Sequence, residues 1–282
     1  MSRELYTVDS RNSEVGENPI WDIKNQRALF LDIRGKAIFK ETHEEFDFIK
    51  VSLPQQIGCL ALCENGDYLL AMEDGVYRMN EQGEIILEHQ PIKIKGRRFN
   101  DGKIGPDGAF YLGTTDNNGN GAFYKMQNGE LMELFDKCSC SNGIEWTSGA
   151  ELMYYIDSPR QMIEMFDFDA ASGELSNRRK FVDIPKEWGL PDGMTLDEND
   201  NLWVALWGGH RVIQIDKNTK KVIDEIIVPC PKASSCAFGG NDLRELYITT
   251  AAMTDISEYP KAGNTFKVKM NIKGKKINYY KW

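Results

Sequence analysis

Apolar residues in this chain fall in short runs, and almost none of them repeats at helical spacing. A short apolar segment, a polar turn and an alternating segment rich in Tyr, Leu, Val and Trp follow one another repeatedly. The turns line up as "DIKNQRALFLDI", "ENGDYLLAM", "GPDGAFYLGT", "TSGAELMYYID", "ENDNLWVAL" and "GNDLRELYIT". With Asn25, Asn65, Asp107, Ser148, Asn199 and Asn241 as anchors, successive gaps are 40, 42, 41, 51 and 42 residues. Repeats of this length, each holding several short strands, mark a β-propeller. Six such units use up the chain. The expected architecture is an all-β, six-bladed β-propeller forming a single domain over residues 1–282.

The unit around residues 190–228 shows the expected strands most clearly: "GMTLD", "NLWVALW", "RVIQID" and "VIDEIIV", joined by the turns "DENDN", "GGH" and "DKNTKK". "LYTVDS" near the N-terminus is a β-segment without a unit of its own. It is expected to join the last blade and remove a sheet edge, a place the C-terminal "KINYYKW" competes for. In a propeller the first strand of each blade lines the central channel, and equivalent starts lie on one face. Those starts are Glu17, Gly58, Asn100, Asn142, Asp192, and Ser234 or Ser235. Alone, "NDG", "SNG" and "PDG" read as turns. Four oxygen-bearing side chains at one blade position read as a site. Carboxyl and amide oxygens without histidine or thiolate suit a hard divalent cation such as Ca²⁺ or Mg²⁺.

Composition narrows the classes. A net charge of −9 disfavours nucleic acid as a partner. No apolar run reaches the roughly 18 residues of a membrane helix, and "MSRELYTVDS" carries charges where a signal peptide is apolar. A cytoplasmic protein is expected. Six cysteines are too few for a disulfide scaffold, so free buried thiols are expected. His43, His89 and His210 are far apart in sequence, which argues against a histidine-rich zinc or iron site.

The segments "GENPIWD" (16–22), "RRFNDGKIGPDG" (97–108), "SNGIEW" (141–146), "YYIDS" (154–158), "PDGMTLDENDNLWVALWGG" (191–209) and "SSCAFGG" (234–240) resemble the SMP-30/regucalcin/gluconolactonase family of six-bladed propellers. They occur in the family's order across nearly the whole chain. The resemblance implies that Glu17, Asn142 and Asp192 bind one divalent cation. Ca²⁺ is the first expectation, with Zn²⁺, Mg²⁺, Mn²⁺ and iron as alternatives. It implies further that Arg98 and Asn100 contact the substrate and that Asp192 is also the general base. Outside the family, Arg98 reads as a surface arginine beside Arg97, and Asp101 as a brace for its loop.

One stretch departs from the pattern. Sugar-lactone members often carry an acidic residue on the loop after "YLGTT", where it bonds substrate hydroxyls. Here the loop is "DNNGNGA", which puts Asn117 or Asn118 near that position, with Asp116 as a substitute if the register slips. Asn118 is taken as the substrate contact. The function expected from the resemblance is metal-dependent hydrolysis of a small, sugar-derived lactone. A calcium-binding regulatory protein without turnover is the alternative. A propeller scaffold for protein partners has only the fold behind it. No G-x-S-x-G elbow is present for a serine esterase.

Overall fold

The computed structural model describes residues 3–42, 46–93 and 96–282. Its strands form six four-stranded antiparallel sheets, the blades of a six-bladed β-propeller. The innermost strands are Gly16–Asp22, Ile57–Leu62, Arg98–Ile104, Ser141–Trp146, Leu190–Leu196 and Ala233–Gly239. Each packs against the next, and Gly16–Asp22 packs against Ala233–Gly239 to close the ring. Both faces of a blade are covered by neighbouring blades. That is why the second strands, such as Leu202–Trp207, read as nearly continuous apolar runs and are almost wholly buried. The fourth strands face water, and Ile223 and Ile227 stand exposed on one of them.

The apolar clusters lie between blades. One joins the second and third blades through Leu69, Phe99, Phe110 and Tyr124. Another joins the third and fourth through Tyr111, Phe123, Trp146 and Tyr155, with Tyr111 and Trp146 ring centroids 5.0 Å apart. The long gap before Asn199 comes from the fourth blade. Its outer strands, Met162–Asp169 and Glu174–Asp183, are the longest adjacent pair, and a 3₁₀ turn at Lys186–Trp188 follows them.

The N-terminal strand Leu5–Asp9 is the outermost strand of the sixth blade, paired antiparallel with Thr265–Lys269. The sixth blade therefore joins both ends of the repeat. The C-terminal segment takes another course. Residues 273–281 run across the face that carries the turns between first and second strands, bonding to Glu198, Leu243, Leu62, Glu64 and Gly108. Lys275 to Asn278 line the channel from that side.

Removing residues 1–12 strips the outer strand, takes buried Val8 out of its apolar cluster and leaves Thr265–Lys269 as an open edge. A melting temperature lower by on the order of 10 °C, in one cooperative transition, is expected. An unchanged melting temperature would show that the strand does not hold the ring closed.

The inner strands begin earlier than the repeat suggests. Asp192-Gly193 lies within the strand Leu190–Leu196, not at its start, and the pairing with Leu202–Trp207 shifts register between Pro191 and Met194. All six inner strands shift at the equivalent point, including Glu17/Ile20, Phe99/Gly102 and Asn142/Ile144. A bulge re-aims the side chain it carries, so the ring of polar residues is a ring of bulges. The glycines there serve close packing. A Cβ on Gly143 would stand 2.8 Å from the Asp192 carbonyl oxygen, and one on Gly193 would stand 2.0 Å from Ser235 Oγ.

Candidate metal and catalytic site

Glu17, Arg98, Asn100, Asn142 and Asp192 all line one pocket of about 260 Å³ at the bulge end of the channel. Glu17, Asn100, Asn142 and Asp192 are buried. Each arrives on a different inner strand, except that Arg98 and Asn100 share one. Val15, Ile33, Leu190, Trp207 and Met253 supply apolar wall.

The amides are held by a hydrogen-bond relay. Arg98 Nη1 donates to the Phe99 carbonyl and to Asn100 Oδ1, each at 2.8 Å. Asn100 Nδ2 donates to Asn142 Oδ1 at 2.8 Å and to the Ser141 carbonyl at 2.9 Å. Asn142 Nδ2 donates to Ser158 Oγ at 2.7 Å, and Ser158 Oγ donates to the Pro191 carbonyl at 2.6 Å. The relay fixes which end of Asn142 is oxygen and ties it to the strand carrying Asp192. The remaining Nε and Nη2 donors of Arg98 meet no acceptor among the described residues.

The electrostatics show a deficit of positive charge. Burial raises the Glu17 carboxyl, and the Asp101 carboxylate adds to it, to about 8 despite the Asn18 N–H it accepts at 2.6 Å. Burial, then Glu17 and Asp101, hold Asp192 well above the ordinary carboxylate range. Neither carboxylate forms an ion pair with a described residue. Two buried carboxyls raised this way, beside an oriented amide oxygen, fit a hard divalent cation by donor chemistry. The set holds only two acidic ligands, and no cluster of three His, Cys, Asp or Glu is poised for a metal among the described residues.

Other residues fall outside the pocket or join it unannounced. Asn118 is exposed in the turn after Phe110–Thr115, its N–H donating to Asp116 Oδ1 at 2.8 Å, and it does not line the pocket. Asn117 is exposed in the same turn. Asp116 is buried against Arg97, whose Nε lies 3.0 Å from Oδ2, so it too is absent from the lining. Asp101 sits on a strand rather than a loop and faces the inner channel with Lys103 and Glu145, which pair at 2.9 Å. Arg98 lines the pocket, whereas the adjacent Arg97 turns to Asp116.

Ser158 and Cys140 belong to the pocket although nothing marked them beforehand. Ser158 lay within the "YYIDS" segment, and its burial at the start of a 3₁₀ turn is the signal that a structure adds. Cys138 and Cys140 do not share a face. Cys138 is in the core, accepting from Tyr155 Oη at 3.3 Å, while Cys140 points into the pocket. Burial and the nearby Asp192 push the Cys140 thiol up to about 11, so it is no thiolate nucleophile at neutral pH. All six cysteines are free. His89 bonds the Gly129 carbonyl and His210 lies tilted against the Tyr259 ring, both away from the site, and His43 lies outside the described residues. No helix among the described residues is long and apolar enough to cross a membrane.

The family description "SMP-30/Gluconolactonase/LRE-like region" matches residues 15–252. The Bacillus subtilis (strain 168) protein named "Putative sugar lactone lactonase YvrE" is 37% identical over 280 residues, covering 96% of each chain. Regucalcin of Xenopus laevis is 33% identical over 289 residues, covering 97% of each. A solved regucalcin from Agrobacterium tumefaciens str. C58, described as a calcium-binding protein, superposes with a TM-score of 0.94 at 25% identity, over 100% of this chain and 99% of that one. With a match across most of its length and relatives aligned nearly end to end, the chain belongs to the SMP-30/gluconolactonase/LRE-like family.

Proposed function

We propose that this protein is a divalent-metal-dependent lactonase, a hydrolase that opens a small, sugar-derived lactone. The observation that carries the reading is the convergence of Glu17, Asn142 and Asp192, with two uncompensated carboxyls, in a pocket whose side is a partly free arginine. Membership in a family that includes gluconolactonases supports it.

Glu17 Oε, Asn142 Oδ1 and Asp192 Oδ would hold the ion. When bound there, a divalent cation supplies Lewis-acid polarisation of the lactone carbonyl. With its charge compensated, Asp192 is a carboxylate and accepts a proton from the attacking water. The water oxygen bonds the carbonyl carbon, the ring C–O bond breaks, and the ring oxygen leaves as a hydroxyl with the proton Asp192 returns. Arg98 directs its free donors at lactone oxygens, and Asn100 holds that guanidinium in place. The apolar wall thins the water around the ring.

Arg98→Ala is expected to keep metal affinity and lower kcat/KM by about 10²-fold through lost orientation. A metal titration followed by initial rates checks both halves. Loss of the metal with Arg98 would move it from substrate binding to the ion site.

The regucalcin relatives and the calcium-binding description of the Agrobacterium structure favour a second reading, a Ca²⁺-binding protein without turnover. Metal-stripped protein assayed against five- and six-membered aldonolactones, with Ca²⁺, Mg²⁺, Mn²⁺ and Zn²⁺ added back singly, separates the two. Ring opening no faster than buffer with every ion would leave the binding role.

A further inference from the structure

We propose that the lactone taken by this pocket carries a second, anionic group, a carboxylate or a phosphate, recognised at the rim by Arg34, with Lys232 adding positive charge from behind the wall. The inference rests on the lactonase reading and specifies its substrate class. Its basis is a surplus of positive charge above the metal ligands. Once ionised, Glu17 and Asp192 at the floor carry two negative charges, which one divalent cation would neutralise. The other charged side chains lining the pocket are both arginines, Arg34 and Arg98. Lys232 stands directly behind the wall. Its Nζ lies 5.0 Å from the centroid of the Trp207 ring and donates to the Met253 carbonyl, and both of those residues line the pocket.

The three cations come from separate parts of the ring: Arg34 from the first blade and Arg98 from the third line the pocket, and Lys232, on the link into the sixth, stands behind its wall. Arg34 is close enough to act on both of the others. Burial lowers both Arg98 and Lys232, and Arg34 lowers each further. Arg34 therefore stands among two other cations at one opening, an arrangement that an anion relieves.

The acidic counterweight at the rim is exposed: Glu73 partly offsets the lowering of Arg98 from solvent. Glu14 lies 3.3 Å from Arg34, but both side chains are about half exposed, and an exposed pair of that kind is weak and easily exchanged for a better partner. Meanwhile the acidic contact to substrate hydroxyls that the family resemblance implies is missing. Asp116 is consumed by Arg97, and Asn118 is exposed outside the pocket. A neutral aldonolactone would leave Arg34 with only the exposed Glu14 and would find no carboxylate for its hydroxyls. A lactone bearing a carboxylate or phosphate satisfies the rim while its ring carbonyl lies over the floor.

The test compares kcat/KM of the metal-loaded protein on a neutral aldonolactone, an aldarolactone with a free carboxylate and a phosphate ester of an aldonolactone. At least tenfold preference for one or both anionic lactones is expected at low ionic strength, shrinking as salt is raised toward roughly 0.5 M. The two anionic arms show which group is recognised. Arg34→Gln should lower kcat/KM for the anionic lactone about tenfold, mainly through KM, and for the neutral one less than threefold. Lys232→Met should act in the same direction. Equal or faster turnover of the neutral lactone, or an equal loss on both classes in Arg34→Gln, overturns the proposal while leaving the lactonase reading intact. If no lactone of any class is opened, the lactonase reading fails instead, and the open-chain acids decide the rim. Greater thermal stabilisation by an aldarate than by the matching aldonate, lost in Arg34→Gln, upholds an anion-selective rim. Equal stabilisation ends it.

Discussion

Asp192→Asn is expected to fold with the pocket intact and to turn over lactone roughly 10²–10⁴-fold more slowly than wild type. The substitution is nearly isosteric, and the residue lies on a strand held by pairing on both sides of the bulge. The amide oxygen remains available to a cation, so part of the metal affinity should survive. What disappears is the proton acceptor. Removing a buried carboxyl that Glu17 and Asp101 repel should also make the metal-free protein no less stable. Kinetics at saturating metal separate the two roles: a fall in kcat that added metal does not restore assigns proton transfer to Asp192. Full recovery of kcat at high metal would reduce Asp192 to a ligand and move the base elsewhere in the pocket.

The legible part of this molecule was whatever the repeat dictates. Six similar units place six equivalent residues at the channel, and Glu17, Asn100, Asn142 and Asp192 could be picked out because they are polar where the repeat needs only strand. The architecture followed from spacing, and the N-terminal strand from being left over. What the repeat could not convey was how those side chains come to face inward. The glycine in "SNG" or "PDG" reads as a turn former, yet neither Gly143 nor Gly193 sits in the left-handed region. Both are small because the neighbouring inner strand passes too close for a Cβ.

The rest of the pocket was hidden for a different reason. Arg34, Cys140, Ser158 and Met253 come from turns and links whose lengths differ between blades. No period fixes the direction of a side chain there, so neighbours in sequence diverge, as Arg97 and Arg98 do. The loop after Thr115 shows the same limit. Its Asn-rich composition suggested a substrate contact at Asn118, but the turn folds back on the Asp116 side chain and points that asparagine to solvent. Arg34 lines the pocket where Asn118 does not, so under the proposed anionic-lactone reading its variant is the first test of substrate preference.

Metal-free protein should lose stability as pH rises from about 5 to about 8, and a divalent ion should restore it most at the upper end. The Glu17 carboxyl titrates near its ordinary 4.5 in the unfolded chain but near 8 in the fold, and Asp192 is raised as well. Between those values the folded state binds more protons than the unfolded state, so unfolding free energy falls with pH. The penalty is complete once both groups are ionised, and its size for buried carboxyls is on the order of several kcal/mol. A cation displaces the protons, so its affinity rises over the same window. At a hundredfold excess over Kd it contributes about 2.7 kcal/mol. Thermal melts in a pH series, with and without each ion, read both effects. Asp192→Ala should lessen the metal-free slope, leaving the part that Glu17 carries, and abolish the metal-dependent rise. A metal-free melting temperature that is level or climbing from pH 5 to 8 would mean that Glu17 and Asp192 are not the strained pair the pocket implies. A stoichiometric ion retained by Asp192→Ala would place the metal on other ligands.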